Sequence, residues 1–141
     1  MRQKILGPVL SLALAAVCVV LLVLWQWEKG GSAEMDDLRL HGMAEAHARF
    51  SDYLRLGNEG DYWYGTAEFQ TMVNCARAEN LDGMIDANAA AGVLMYSPEL
   101  AQGRLEDVCA ILEMCMAQPD STAQWAVSMN ELRHLLEEGE L

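Results

Sequence analysis

At 141 residues the chain is long enough to bury one modest hydrophobic core and too short for two. Its net charge of −12 opposes binding to nucleic acid or anionic headgroups. The acidity is concentrated after the N-terminal region: residues 34 to 141 hold six arginines and no lysine against twenty Asp or Glu, a net of −14.

Residues 5 to 25 carry no charge, and a run of that length predicts one membrane-crossing helix over 5–27. Arg2 and Lys4 precede the run, whereas Glu28, Glu34, Asp36 and Asp37 follow it. That asymmetry predicts a short cytoplasmic N-terminus over 1–4, an extracytoplasmic remainder and a single-pass location in the cell membrane. Trp25 and Trp27 would sit at the outer headgroup layer, with Lys29 reaching water. A competing expectation is cleavage after Ala33, because Gly31-Ser32-Ala33 has the small-x-small pattern of a signal-peptidase site and would release a secreted helical domain. The length of the apolar run favours retention. Gly7, Ser11 and Ala15 recur every fourth residue and form a small-residue ridge through which a homodimer could pack, the alternative being that small residues are common in any spanning helix.

Residues 28–34, with Gly30-Gly31-Ser32 inside them, read as a linker, and 35–141 read as an acidic domain. β-Branched residues are sparse there and the apolar period is helical, which predicts an all-α fold, an antiparallel bundle of four to five helices. The first helix spans about 35–56 with Leu40, Met43, Ala46, Phe50 and Tyr53 or Leu54 aligned, and Gly57 to Gly60 end it. The second starts at Asp61 as cap and buries Tyr62, Phe69, Met72, Val73 and Ala76, stopping near Asn80. A third over 82–96 aligns Ile85, Ala89, Val93 and Tyr96, and its run from Ala89 to Gly92 invites a close neighbour. Ser97 and Pro98 open a fourth with the stripe Ala101, Leu105, Val108, Leu112 and Cys115, broken by Pro119. Ser121 and Gln124 form a capping-box pattern for a fifth, with Trp125, Met129, Leu132 and Leu136 inward.

Cys75, Cys109 and Cys115 fall on or beside apolar stripes and read as buried thiols, with one disulfide to Cys75 as the alternative. Glu131 and His134 share one helical face at E-x-x-H spacing, the pattern of a metal pair, but a di-iron bundle needs two such motifs and only one is present. His41 and His47 lie on separate faces. No H-E-x-x-H, G-x-S-x-G, phosphate-loop or EF-hand pattern occurs, so neither catalysis nor a cofactor is expected. The stretch Tyr62-Trp63-Tyr64 places three aromatics around a helix start, where one core cannot take all of them. An exposed ring there would be an interface anchor. The resulting expectation is a membrane-anchored interaction or scaffold module that meets an extracytoplasmic protein partner. The alternative is a metal-binding or enzymatic bundle using Glu131 and His134.

Overall fold

The computed structural model describes residues 3–138, with side chains for 13–27, 30, 31 and 33–138. It is all-helical, with no strand among the described residues: α1 Gln3–Leu56, α2 Glu59–Ala78, α3 Met84–Tyr96, α4 Pro98–Gln102, α5 Leu105–Met116 and α6 Thr122–Glu137. The chain divides into two compact units, residues 1–34 and 35–141.

In the first unit the large apolar side chains described on α1 are exposed, from Leu14 at 66% to Trp27 at 81%. Among the described residues, however, no helix is long and apolar enough to cross a membrane. The expected spanning helix over 5–27 is therefore not supported. The single-pass location, with a cytoplasmic N-terminus and an extracytoplasmic domain, falls with it. Residues 1–2 lie outside the described chain, and the side chains of 3–12 are also undescribed. Helix α1 continues through Gly30 and Gly31, where the sequence predicts a joint. A glycine costs a helix interior about 1 kcal/mol against alanine, too little to break a helix that has strong formers on both sides.

The second unit is the helical bundle. Its part of α1 buries Met43, Ala46 and Phe50, and α2 lies antiparallel across it. Two glycines bring these helices together: a Cβ on Gly42 would sit 3.1 Å from the Glu68 carbonyl oxygen, and one on Gly65 would sit 2.6 Å from the Phe50 ring. The same register is marked by ion pairs, Arg39 with Glu79 at 3.1 Å and Arg49 with Asp61 at 3.3 Å. Helix α5 also runs antiparallel to α1, through His47 and Glu113 at 2.9 Å and the Ser51 hydroxyl on the Cys109 thiol at 3.9 Å. Helix α3 is antiparallel to α2, with Arg77 donating to Asn88 near one end and Tyr62 to the Leu94 carbonyl at the other. Helix α6 runs in the same direction as α3, since Gly83 meets Ala126 and Asp86 meets Arg133.

The buried faces follow the sequence in α2, in α4 with α5, and in α6, and the start of α6 does as well. Tyr62, Phe69, Met72, Val73 and Ala76 are buried, as are Ala101, Leu105, Val108, Leu112 and Cys115, and Trp125, Met129, Leu132 and Leu136. Ser121 caps α6 by accepting from the Gln124 amide at 3.1 Å. Three expectations are corrected. Helix α2 begins before Asp61: Asn58 is its cap, accepting from the Gly60 amide at 3.1 Å, and Asp61 turns inward to Arg49. Helix α3 buries Ala87, Ala90, Ala91 and Leu94, leaving Ile85 73% and Tyr96 82% exposed. Its alanines are small enough to let α2 and α6 approach, and the large residues of the expected stripe are turned out. Within the run expected to admit a close neighbour, Ala90 and Ala91 are buried, whereas a Cβ on Gly92 would meet nothing within 4 Å. The fourth expected helix is split at Gly103 and Arg104 into α4 and α5, and Ser97 makes no side-chain cap. Ala101 of α4 and Leu105 of α5, on either side of the break, are both fully buried.

Candidate functional site

Successive helix residues point about 100° apart, so three adjacent aromatics at the start of α2 cannot share one face. Tyr62 takes the inward position: it is fully buried, and its hydroxyl donates to the Leu94 carbonyl at 2.6 Å, joining α2 to the end of α3. Tyr53 and Phe50 of α1 pack on it at centroid distances of 5.6 and 6.1 Å. Burial pushes the Tyr62 phenol up to about 12 from its ordinary value near 10, and the neighbouring Tyr53 and Glu59 add to the rise.

Fixing Tyr62 inward turns the next two rings out. Trp63 is 46% exposed and meets Tyr62 edge-on at 5.2 Å, while Tyr64 is 66% exposed. The Arg49 guanidinium stands over the Tyr64 ring, 5.7 Å from its centroid, and reaches Asp61 with its Nη1. Glu59 lies four residues before Trp63 and so on the same face of α2. It accepts from Gln102 of α4 at 3.1 Å and, after burial, is the next largest cause of a raised Tyr53 phenol. The antiparallel register brings the end of α3 to this end of the bundle. There Tyr96, Ser97, Pro98, Glu99 and Leu100 line a concavity of about 340 Å³. The resulting surface carries the outward aromatics Trp63, Tyr64 and Tyr96 and the exposed carboxylates Glu59 and Glu99, with Asp61 buried against Arg49.

Of the three aromatics singled out in the sequence, Tyr62 is core and Trp63 and Tyr64 are surface. Glu59, Arg49, Tyr96 and Gln102 were not singled out, and of these only Glu59 carries a sequence signal, its spacing of four from Trp63. At the opposite end of the bundle a second polar centre is also missed. Arg39 is 4% exposed, pairs with Asp36 and Glu79, and lies over the Trp125 ring at 5.1 Å from its centroid. Its signal was spacing: Arg39, Met43, Ala46 and Phe50 fall four, three and four apart, so the arginine sits on the core stripe itself.

The thiols Cys75, Cys109 and Cys115 are free and buried, and burial is the main cause that raises each above the ordinary cysteine value. Glu131 and His134 are both exposed on α6, and among the described residues no group of three His, Cys, Asp or Glu side chains is placed to hold a metal ion. His41 is exposed, whereas His47 is half-buried against Glu113. Of the small-residue ridge, the side chains at Gly7 and Ser11 lie outside those described, and Ala15 is exposed. Comparison of the chain with family models, with curated proteins and with solved structures finds no match.

Proposed function

We propose that the bundle is a protein-interaction module whose contact surface is the start of α2. The observation that carries this reading is the outward placement of Trp63 and Tyr64 beside an inward Tyr62. Two large rings are held in water by a hydrogen-bonded neighbour, which spares a partner most of the cost of ordering them. Tryptophan and tyrosine are the residue types most enriched at energetic centres of interfaces. Scattered single apolar residues on a surface need no explanation, but here the two rings adjoin each other and share an end of the bundle with Tyr96.

The test places a photo-crosslinking amino acid at Ala67, an exposed position one turn along α2 from Trp63, in the full-length chain within intact cells. A discrete foreign adduct that disappears in the Trp63→Ala and Tyr64→Ala backgrounds is the expected result. Adducts to the chain itself alone, or adducts indifferent to both substitutions, would overturn the reading.

A further inference from the structure

We propose that the Trp63 and Tyr64 surface takes the cationic side chains of a basic partner segment, one bearing arginine or lysine; this rests on the interaction reading above. The first argument is charge complementarity. Residues 34–141 carry six arginines against twenty acidic groups, and four of the six, Arg39, Arg49, Arg55 and Arg133, are already ion-paired inside the chain. The surface that remains is strongly acidic, so it attracts cationic partners and slows anionic ones.

The second argument is local geometry. Each aromatic has a carboxylate at helical spacing: Glu59 stands four residues before Trp63 and Glu68 four after Tyr64, whereas Asp61, three before Tyr64, is already buried against Arg49. A ring face with a carboxylate beside it is a combination this fold already uses twice to hold a guanidinium. Arg49 lies between the Tyr64 ring and Asp61, and Arg39 lies between the Trp125 ring and Glu79. Trp63 with Glu59 offers the same two groups on the outside, where tryptophan is the strongest cation-binding ring. The partial positive charge at the start of α2 opposes a cation, but Glu59 and Asp61 in its first turn outweigh the roughly half charge of a helix end.

The experiment titrates the full-length chain with a fluorescein-labelled peptide of alternating arginine and glycine, followed by anisotropy, with an alternating glutamate and glycine peptide beside it. Trp63→Ala and Glu59→Gln are each expected to weaken the arginine peptide by roughly tenfold. Asp120→Asn, an equal change of charge on an exposed turn at the opposite end of the bundle, should leave it within about twofold. The glutamate peptide should not bind. If Trp63→Ala and Glu59→Gln weaken binding no more than Asp120→Asn, the attraction belongs to the whole acidic surface and the proposal fails, as it does if the arginine peptide does not bind. The two readings separate cleanly. A crosslinked partner whose contact segment has no basic residue would refute the cationic specificity and leave the interaction module standing, whereas no Trp63-dependent adduct would remove the module itself.

Discussion

Two glycines on neighbouring helices should respond to alanine with opposite signs, and the contrast tests how α1 and α2 are packed. At Gly65 an added Cβ would lie 2.6 Å from both Cδ1 and Cε1 of Phe50 and 3.2 Å from the Arg49 Cβ. Phe50 is fully buried and packs on Tyr62 with ring centroids 6.1 Å apart, so its ring has little space to retreat into. Overpacking of this kind costs about 1–3 kcal/mol, while replacing a helical glycine recovers about 1 kcal/mol of backbone entropy. With the added Cβ only 2.6 Å from two atoms of a buried ring, the overpacking cost falls in the upper part of its range, about 2–3 kcal/mol, so Gly65→Ala should lose roughly 1–2 kcal/mol. At Gly92 of α3 a Cβ meets nothing within 4 Å, so Gly92→Ala should show the entropy gain alone, a stabilisation of about 1 kcal/mol. In a bundle of this size 1 kcal/mol moves Tm by roughly 4–8 °C, and the two variants should separate by at least about 8 °C in a calorimetric or circular-dichroism melt. A Gly65→Ala protein melting at or above the parent would refute the close approach of the two helices.

Alkaline titration should destabilise the bundle through Tyr62. Its folded-state value of about 12 lies above the unfolded value near 10, so the stabilisation is fully present below pH 10 and is lost as pH rises through the folded value, to the extent of roughly 2–3 kcal/mol. Urea unfolding across this range should show the loss, and Tyr62→Phe should abolish most of it; an identical pH profile in the variant would contradict the assignment. A thiol reagent should modify the exposed Cys18 rapidly and Cys75, Cys109 and Cys115 only upon unfolding. Fast reaction at any of the three under native conditions, read by mass analysis, would show that its helix opens locally. Arg39→Ala should cost about 3–5 kcal/mol in chemical denaturation, because it strands the largely buried Glu79 carboxylate, and the double change Arg39→Met with Glu79→Leu should restore much of that. A loss below about 1 kcal/mol for Arg39→Ala would mean the pair is solvated.

The elements legible in the sequence are those whose inward residues contrast in size or polarity with their neighbours. In α6 the positions of Trp125, Met129, Leu132 and Leu136 admit one face only, and Ser121 marks the start by a hydrogen bond that its residue type requires. In α3 that contrast is missing. With alanine at 87, 89, 90 and 91, several faces are equally apolar, and the choice falls to the space available between α2 and α6, which no local pattern encodes. The break at Gly103 was hidden for the opposite reason: a stripe from Ala101 to Cys115 is continuous in projection even though two helices supply it.

The candidate site shows how far one buried contact can decide a surface. The sequence states that Tyr62, Trp63 and Tyr64 cannot all be core, and it does not state which is. What selects Tyr62 is a carbonyl thirty-two residues away, Leu94 at the end of α3, available to a phenol hydroxyl only when α2 and α3 lie antiparallel. Once that bond is made, helix geometry turns Trp63 and Tyr64 outward, and Glu59, which favours the start of any helix for electrostatic reasons, becomes the exposed carboxylate on the face of Trp63. The same acidic residue thus stabilises the helix start and sets the charge of the surface it presents. Neutralising Glu59 should accordingly be felt twice, as a small loss of stability and as a loss of any cationic partner. Only the second effect should depend on Trp63.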